Sequence, residues 1–409
     1  MFIHVLDTNF SRSVQPYSLS VWTHRLNSQR WFQSSFTPQG CRFSIPGAAV
    51  TAGAGNQWQA VTSQAKDRDL AVVSGAFATV SLGGFLSNGG HGGLSAKYGL
   101  GADQVYEIEL VTPMGEHIIA NECQNQDYFW AMRGGGGSTY GIALAYTIKA
   151  YPSMRSAYYR TSLKGWDEIG AWYRNWEKLA MVGASGYFNG YPGRGGDVKV
   201  SFNVPNMTQA QLENIVGPIM DAVGAERPRS IPKGISQTDG GDRRRQTNNR
   251  VTSTKWAIAH ARGEFKEFAT WDEALQATMK HEETTGSLTK RAYFPGMGSS
   301  KILASWLWSA QDLAHPSMET ALRGAFDSAS QMLNDATLGI GTHKPPFIRG
   351  GGNAVNPAFR TSVMRPATEL QWSEIDVALL ERKKSDSLRF VRSYMSIAPN
   401  GGTYANEVS

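Results

Sequence analysis

Two glycine clusters constrain this chain more than any other feature. The first runs Thr79-Val80-Ser81-Leu82-Gly83-Gly84-Phe85-Leu86-Ser87-Asn88-Gly89-Gly90-His91-Gly92-Gly93-Leu94-Ser95. The second runs Phe129-Trp130-Ala131-Met132-Arg133-Gly134-Gly135-Gly136-Gly137-Ser138-Thr139-Tyr140-Gly141. Glycine accepts positive φ and lets other groups come close to the backbone. Consecutive N–H groups in such a conformation form a concave anion site. A diphosphate, or the carbonyl edge of a ring, can be held that way without charged side chains. Tight turns and bulges in a β-rich domain would produce the same composition. Glycine count alone, 44 of 409 residues, does not decide between the two readings.

Composition excludes several classes. Hydrophobic residues make up 41% and charged residues 18%, so a large core can form and wholesale disorder is ruled out. A formal charge of +6 is mild for this length and points to no nucleic-acid partner. Two cysteines, Cys41 and Cys123, exclude a disulfide framework and a cysteine-rich zinc site; one disulfide and two free thiols both stay open. No stretch approaches the ~18 apolar residues of a spanning helix. Residues Met1 to Ser13 have no basic flank and no long apolar run, so no secretory signal is read there and the compartment is left open. The sequons at Asn9 and Asn206 say little about compartment.

Hydrophobic spacing gives a coarse layout. Strands are expected at 18–22, 48–55, 70–73, 105–111, 117–120, 142–150 and 198–204, with 105–120 forming a hairpin around Pro113-Met114-Gly115. Helices are expected at 57–66, 125–133, 166–182, 208–223, 271–281 and 318–333. Residues 228–250, with Asp242-Arg243-Arg244-Arg245 at the centre, read as a polar surface loop. The expected fold is α+β.

The clusters fit no common nucleotide template. There is no G-x-x-x-x-G-K-[ST], and neither cluster sits in the strand, G-x-G-x-x-G and helix order. The eight histidines show no metal spacing, and no G-x-S-x-G elbow is present. His91 is either a hydrogen-bonded structural residue or a group lining a ligand.

At these clusters the chain resembles a known family. Gly83-Gly84-Phe85-x-x-x-Gly89-Gly90-His91-Gly92-x-Leu94-Ser95-x-Lys97-Tyr98-Gly99-Leu100-x-x-Asp103-x-Val105 is similar to the central FAD-binding signature of berberine-bridge-enzyme-like FAD-linked oxidases, which have a vanillyl-alcohol-oxidase type (PCMH-type) flavin domain. Asn125-x-Asp127-x-Phe129-Trp130-Ala131-x-Arg133-Gly134-Gly135-Gly136-Gly137-x-x-x-Gly141-Ile142 resembles that family's second signature. Gly402-Thr403-Tyr404-Ala405-Asn406-Glu407 resembles its late Tyr-x-Asn-Glu segment, and Val355-Asn356-Pro357-Ala358-Phe359-Arg360 a fungal-type segment of its substrate domain. The resemblance implies an FAD-binding domain over 1–153, an antiparallel-sheet-and-helix substrate domain over 154–392, and a returning segment at 393–409. It implies that Thr79, Val80, Gly83, Gly84, Phe85, Gly89, Gly90, His91, Leu94, Ser95 and Tyr98 lie along the flavin and diphosphate. Asp103, Val105, Gly137, Gly141 and Ile142 would hold the adenosine half, and Tyr404 and Asn406 would reach the ring.

The chain departs from the family at both sites of covalent FAD attachment. Asp7 stands where the histidine is usual, and Phe77 where the cysteine is usual, while Cys41 and Cys123 lie outside that motif. Non-covalent FAD is therefore expected. Ser81 and Asn88 replace usual glycines, and Asn88 is expected to tolerate left-handed φ. The family's first lobe and its C-terminal stretch are expected to be largely absent. That leaves a degenerate form with weak or no FAD binding as the alternative to a competent enzyme.

The implied chemistry is hydride transfer from a small organic substrate to flavin, with dioxygen reoxidising it to give hydrogen peroxide. Tyr404 and Glu407 are the candidate bases, with Tyr404 preferred because Glu407, three residues on, would point to the other side of a strand. Trp166, Trp172, Trp176, Tyr187, Tyr191, Trp306 and Trp308 read first as core, with a few left to line a cavity for a secondary-metabolite-like or carbohydrate substrate. A monomer without nucleic-acid or membrane partners is expected. The basic 227–250 segment lacks the aromatic platform of a single-strand binder and reads as solvated.

Overall fold

The computed structural model describes residues 2–3, 20–137, 140–190, 197–225, 257–285, 300–325, 332–337, 348–372 and 376–404. Two antiparallel sheets organise it. The first has five strands in the order Gln29–Phe32, Ala49–Gly53, Ile142–Lys149, Val105–Val111, His117–Asn121. Ile108 and Leu110 alternate inward and leave Glu107 and Glu109 on the other face, while an irregularity in the pairing at the strand's start lets Val105 join the same core. The next strand returns in register through a turn at Gly115, whose φ is 85°. Helices Trp58–Lys66 and Leu82–Ser87 close the apolar face, with Trp58, Leu82, Phe85, Ile108 and Tyr146 in one core.

The second sheet has seven strands in the order Gly263–Phe268, Ser156–Lys164, Asp197–Pro205, Ser185–Gly190, Met332–Thr337, Ala367–Trp372, Ser300–Ser305. Helix Gly165–Ala180 lays Ile169, Trp172, Trp176 and Leu179 on it, and the Trp176 indole donates to Val363 O at 3.1 Å. Helices Gln209–Ala225, Met318–Ala325 and Val377–Met395 add to the same core.

The expected helix over 318–333 is corrected here. It ends its described run at Ala325, and Met332–Thr337 is a strand of the second sheet. Its residues pair with Ser185–Gly190 on one side and with Ala367–Trp372 on the other. Helical spacing could not reveal two strand partners so distant in sequence. Of the strand expected at 18–22, Ser20–Val21 is a strand and Trp22 is not, while residues 18–19 lie outside the described residues. The 228–250 loop, Tyr191, Asp7 and the Asn9 sequon lie outside the described residues.

A buried ion pair locks the two halves together. The Asp103 side chain is fully buried in the turn after the first glycine cluster. Its Oδ2 accepts from Leu100 N at 2.9 Å and from Arg360 Nη1 at 2.7 Å. Its Oδ1 accepts from Arg360 Nη2 at 2.9 Å and from Asn353 Nδ2 at 2.7 Å. The carboxylate is thus bound bidentately and satisfied on both oxygens. A disulfide joins Cys41 to Cys123, tying the 38–41 turn to the end of the first sheet's edge strand, and settles the choice the sequence left open.

Two stability predictions follow from these links. Replacing both Cys41 and Cys123 by Ser should lower unfolding free energy by about 2–4 kcal/mol, because the bond closes a long loop; equal urea midpoints for the two proteins would contradict this. Asp103→Ala and Arg360→Ala should each cost about 3 kcal/mol, the remaining partner being left partly buried and unpaired. Made together, they should cost little more than the worse single change, since one interaction is lost once. Additive losses in the urea midpoints would show that the two side chains do not act as a pair.

Candidate functional site

The first cluster folds as a short helix, Leu82–Ser87, followed by a turn with Gly89 and Gly90 at φ 104° and 74°. Several glycines are required by the chain itself. A side chain on Gly90 or Gly101 would strike the Phe85 ring, one on Gly92 would strike Ser74 O, and one on Gly134 would strike Val355. Backbone amides are also spoken for: Leu82 N donates to Asn56 O and Gly83 N to Ala54 O. The second cluster hangs on the first. Gly134 N and Gly136 N both donate to Ser87 O, at 3.1 and 3.0 Å. Asn88 Nδ2 donates to Gly84 O, and Asn88 Oδ1 accepts from Gly137 N at 3.3 Å. Asn88 sits at φ −110°, so the tolerance of left-handed φ expected of it is not called on. Ser81, at φ −83°, needs no glycine either.

The turn 89–93 faces a buried aromatic contact. His91 and Tyr404 meet edge to face, with ring centroids 5.3 Å apart and planes at 72°. Phe359 meets the same tyrosine edge to face at 5.7 Å. Tyr404 is only 4% exposed and packs with Leu100, Ala102, Leu307, Val355 and Phe359. Its place is fixed from two sides. Leu307 N donates to Gly402 O at 2.7 Å, and Asn356 Nδ2 donates to Thr403 O at 3.2 Å. The Thr403 hydroxyl is buried with no partner among the described residues.

The remaining expected site residues fall in several places. Thr79 is exposed and Val80 half-buried in the loop before the helix, and Phe77 beside them is 44% exposed. Gly84 and Phe85 are buried in the helix. Ser95 Oγ accepts from Gly92 N at 2.9 Å and so pins the turn. Leu94 is buried with Val73 and Trp271. Tyr98 stacks on Tyr151 with centroids 3.8 Å apart. Burial raises its phenol above the usual value, and a hydrogen bond with Asn206 works the other way. Asp103 is satisfied within the chain, and Val105 is core of the first sheet. Gly141 is buried against Val111 O, and Ile142 begins the strand beside it. Asn406 and Glu407 lie outside the described residues.

Sequence reasoning did not place Arg133 or Asn353. Arg133 is fully buried over the Phe129 ring, 3.6 Å from its centroid. It donates to Phe129 O at 2.7 Å, Arg349 O at 2.9 Å and Gly352 O at 2.6 Å. Burial lowers its guanidinium to about 10, opposed by Asp103 and Glu122, so it stays charged near neutrality. The Val355–Arg360 segment was visible as a motif; its partners were not.

Among the described residues no cluster of His, Cys, Asp and Glu could hold a metal ion, and no helix is long and apolar enough to cross a membrane. A model of the FAD binding domain matches residues 39–121, which hold the first glycine cluster and the hairpin. An FAD-linked oxidoreductase of Aspergillus flavipes is 50% identical over 142 residues, 34% of this chain and 23% of that protein. One from Pyricularia oryzae is 29% identical over 401 residues, 97% of this chain and 60% of that protein. The chain thus spans less than two thirds of the length of these relatives. Among solved structures, a VAO-type flavoprotein of Myceliophthora thermophila C1 superposes with a TM-score of 0.73 at 21% identity, covering 96% of this chain and 66% of that one. Berberine bridge enzyme from Eschscholzia californica gives 0.59 at 16% identity, covering 88% and 66%. Together these findings make the chain a homologue of fungal FAD-linked oxidoreductases, with an FAD-binding domain set in the VAO and berberine-bridge fold.

Proposed function

We propose that this chain is an FAD-dependent oxidoreductase that oxidises a small organic substrate and holds FAD without a covalent bond. The observation that carries the reading is the meeting of the 89–93 turn with Tyr404, which brings the first glycine signature and the late tyrosine segment to one buried spot. The residues there suit a large planar group with a polar edge. Aromatic edges come from His91, Phe359 and Tyr404, and the residue before that tyrosine, Thr403, carries a buried hydroxyl with no partner among the described residues. Phe77 carries no sulfur for a thioether.

Bound FAD would supply a hydride acceptor, whose electron pair dioxygen then removes to give hydrogen peroxide. The chain's own contribution is placement and proton handling. The 89–93 turn and the 134–137 run would follow the cofactor, while Ser87 and Asn88 keep those two segments in register. Tyr404, acting as its phenolate, is the candidate for taking up the proton that a substrate hydroxyl or amine releases, and would become the neutral phenol. Asn356 and Leu307 hold the backbone of the two residues before it, and His91 and Phe359 hold its ring.

An absorbance spectrum of the purified protein tests the cofactor. Bands near ~370 and ~450 nm should move into the supernatant after acid precipitation. Colour left in the pellet would refute the non-covalent assignment, and a protein colourless even with added FAD would refute the function. Tyr404→Phe should keep bound flavin yet slow its reduction by substrate by about 10²-fold or more, in the range for lost acid–base catalysis. An unchanged rate would take Tyr404 out of the mechanism.

A further inference from the structure

Two features of the chain take no part in the flavin site: the turn at Asn206 and the disulfide between Cys41 and Cys123. Asn206-Met207-Thr208 is an N-x-T triplet without proline at its centre. Such a triplet accepts an N-linked glycan where it lies on the surface of a chain that passes through an oxidising, glycosylating compartment. The fold meets the first condition, and the disulfide points to the second.

Asn206 follows strand Asp197–Pro205 and turns the chain toward helix Gln209–Ala225. Its φ is 60°, a left-handed conformation that asparagine tolerates. Asn206 is exposed, while Met207 beside it is half-buried against the tryptophan core. The backbone around it is anchored. Asn206 N donates to Arg155 O at 2.9 Å, Lys97 Nζ to Pro205 O at 3.4 Å, and Gln209 N to Glu267 Oε2 at 2.8 Å. Thr208 Oγ1 accepts from Gln211 N at 3.3 Å, capping the helix. The Asn206 carboxamide also bonds to the Tyr98 phenol. A glycosidic bond replaces one of its two N–H hydrogens, so the amide keeps a donor and an acceptor for that contact.

The disulfide holds both cysteines of the chain. Cys123 is exposed and Cys41 half-buried, so the bond lies at the surface. Cytosolic glutathione and thioredoxin keep such pairs reduced, whereas the bond persists in the oxidising lumen of the secretory route. N-linked glycans are added in the same lumen.

We infer that the chain matures in that lumen and carries an N-linked glycan on Asn206. In the transfer, the Asn206 carboxamide nitrogen bonds to the anomeric carbon of a lipid-diphosphate-linked oligosaccharide. The bond from that carbon to the diphosphate breaks, the lipid diphosphate leaves with its electron pair, and the nitrogen gives up one proton. Transfer to the emerging chain precedes folding, so the Thr208 cap and the Tyr98 contact do not compete with it. The inference is independent of the flavin reading.

The test uses the full chain purified from the cells that make it. Trypsin releases residues 200–229 as one peptide, with Asn206 in its one sequon. That peptide should carry hexoses and N-acetylhexosamines, and peptide-N-glycosidase in heavy-oxygen water should convert Asn206 to labelled Asp. The same protein should show no thiol before reduction. In yeast secreting the full chain, Thr208→Ser should keep the glycan on Asn206, and Asn206→Gln and Thr208→Ala should each lose it. If Asn206→Gln fails to fold at its left-handed φ, the two Thr208 variants decide. An unmodified Asn206 peptide overturns the inference, whether or not Asn9 is modified, and so do free thiols at Cys41 and Cys123.

Discussion

The pair between Asp103 and Arg360 is the contact on which the site's geometry depends. Asp103 belongs to the turn that follows the first glycine cluster, and its carboxylate also caps Leu100 N. Arg360 ends the short 3-10 helix Pro357–Arg360, which Asn356 opens by accepting from Ala358 N at 3.0 Å. That same asparagine holds Thr403, and so places Tyr404. Val355, one residue earlier, fills the space above Gly134 and lies near Gly89. One ion pair therefore fixes the mutual position of both glycine clusters and the late tyrosine. Removing charges from water is costly, and a buried pair is weak evidence for stability. Its value here is geometric: bidentate binding admits one orientation of guanidinium to carboxylate.

The glycines carry a related lesson. A glycine signature is easily read as a ligand cradle, but much of this one serves the chain. Ser74 O occupies the space over Gly92, Val111 O the space over Gly141, and the Phe85 ring the space over Gly90 and Gly101. Such a motif encodes how closely backbone segments approach one another, and a cofactor then meets a surface already rigid. Rigid placement is what lets few side chains orient a large ligand. It also means that a substitution in the signature can abolish cofactor binding without touching the cofactor.

Local elements were legible in the sequence. The hairpin of Val105–Val111 and His117–Asn121 followed from alternation and a glycine turn, and helix Gly165–Ala180 followed from the spacing of its tryptophans. Met332–Thr337 was not legible, because its short polar run becomes a strand only through neighbours far away in the chain. Asp103 was visible as part of a signature, but its partners Asn353 and Arg360 lie some 250 residues on, and no local pattern could join them. Ser81 and Asn88 stand where the signature usually has glycine. In place, both have ordinary negative φ, and the Asn88 side chain bridges the two clusters. His91 and Tyr404 were singled out separately; only the fold brings their rings together.

Alternation along the second sheet separates what must stay fixed from what can change. The face carrying Phe188, Val200 and Phe202 packs on Trp172 and Trp176, and close packing there punishes even small changes of volume. The face carrying Tyr187, Asn189 and Glu369 points away from that core by the two-residue period of a strand, and Tyr187 packs instead against the cluster of Leu100, Phe359 and Tyr404. A substitution at Glu369 thus falls on the face turned away from the tryptophan core. The glycine segments have no such freedom, since the glycines and the Asp103 pair are each held by several segments at once. Physical constraint alone therefore predicts that the glycine segments and the Asp103 pair resist change more than the sheet face turned away from the tryptophan core.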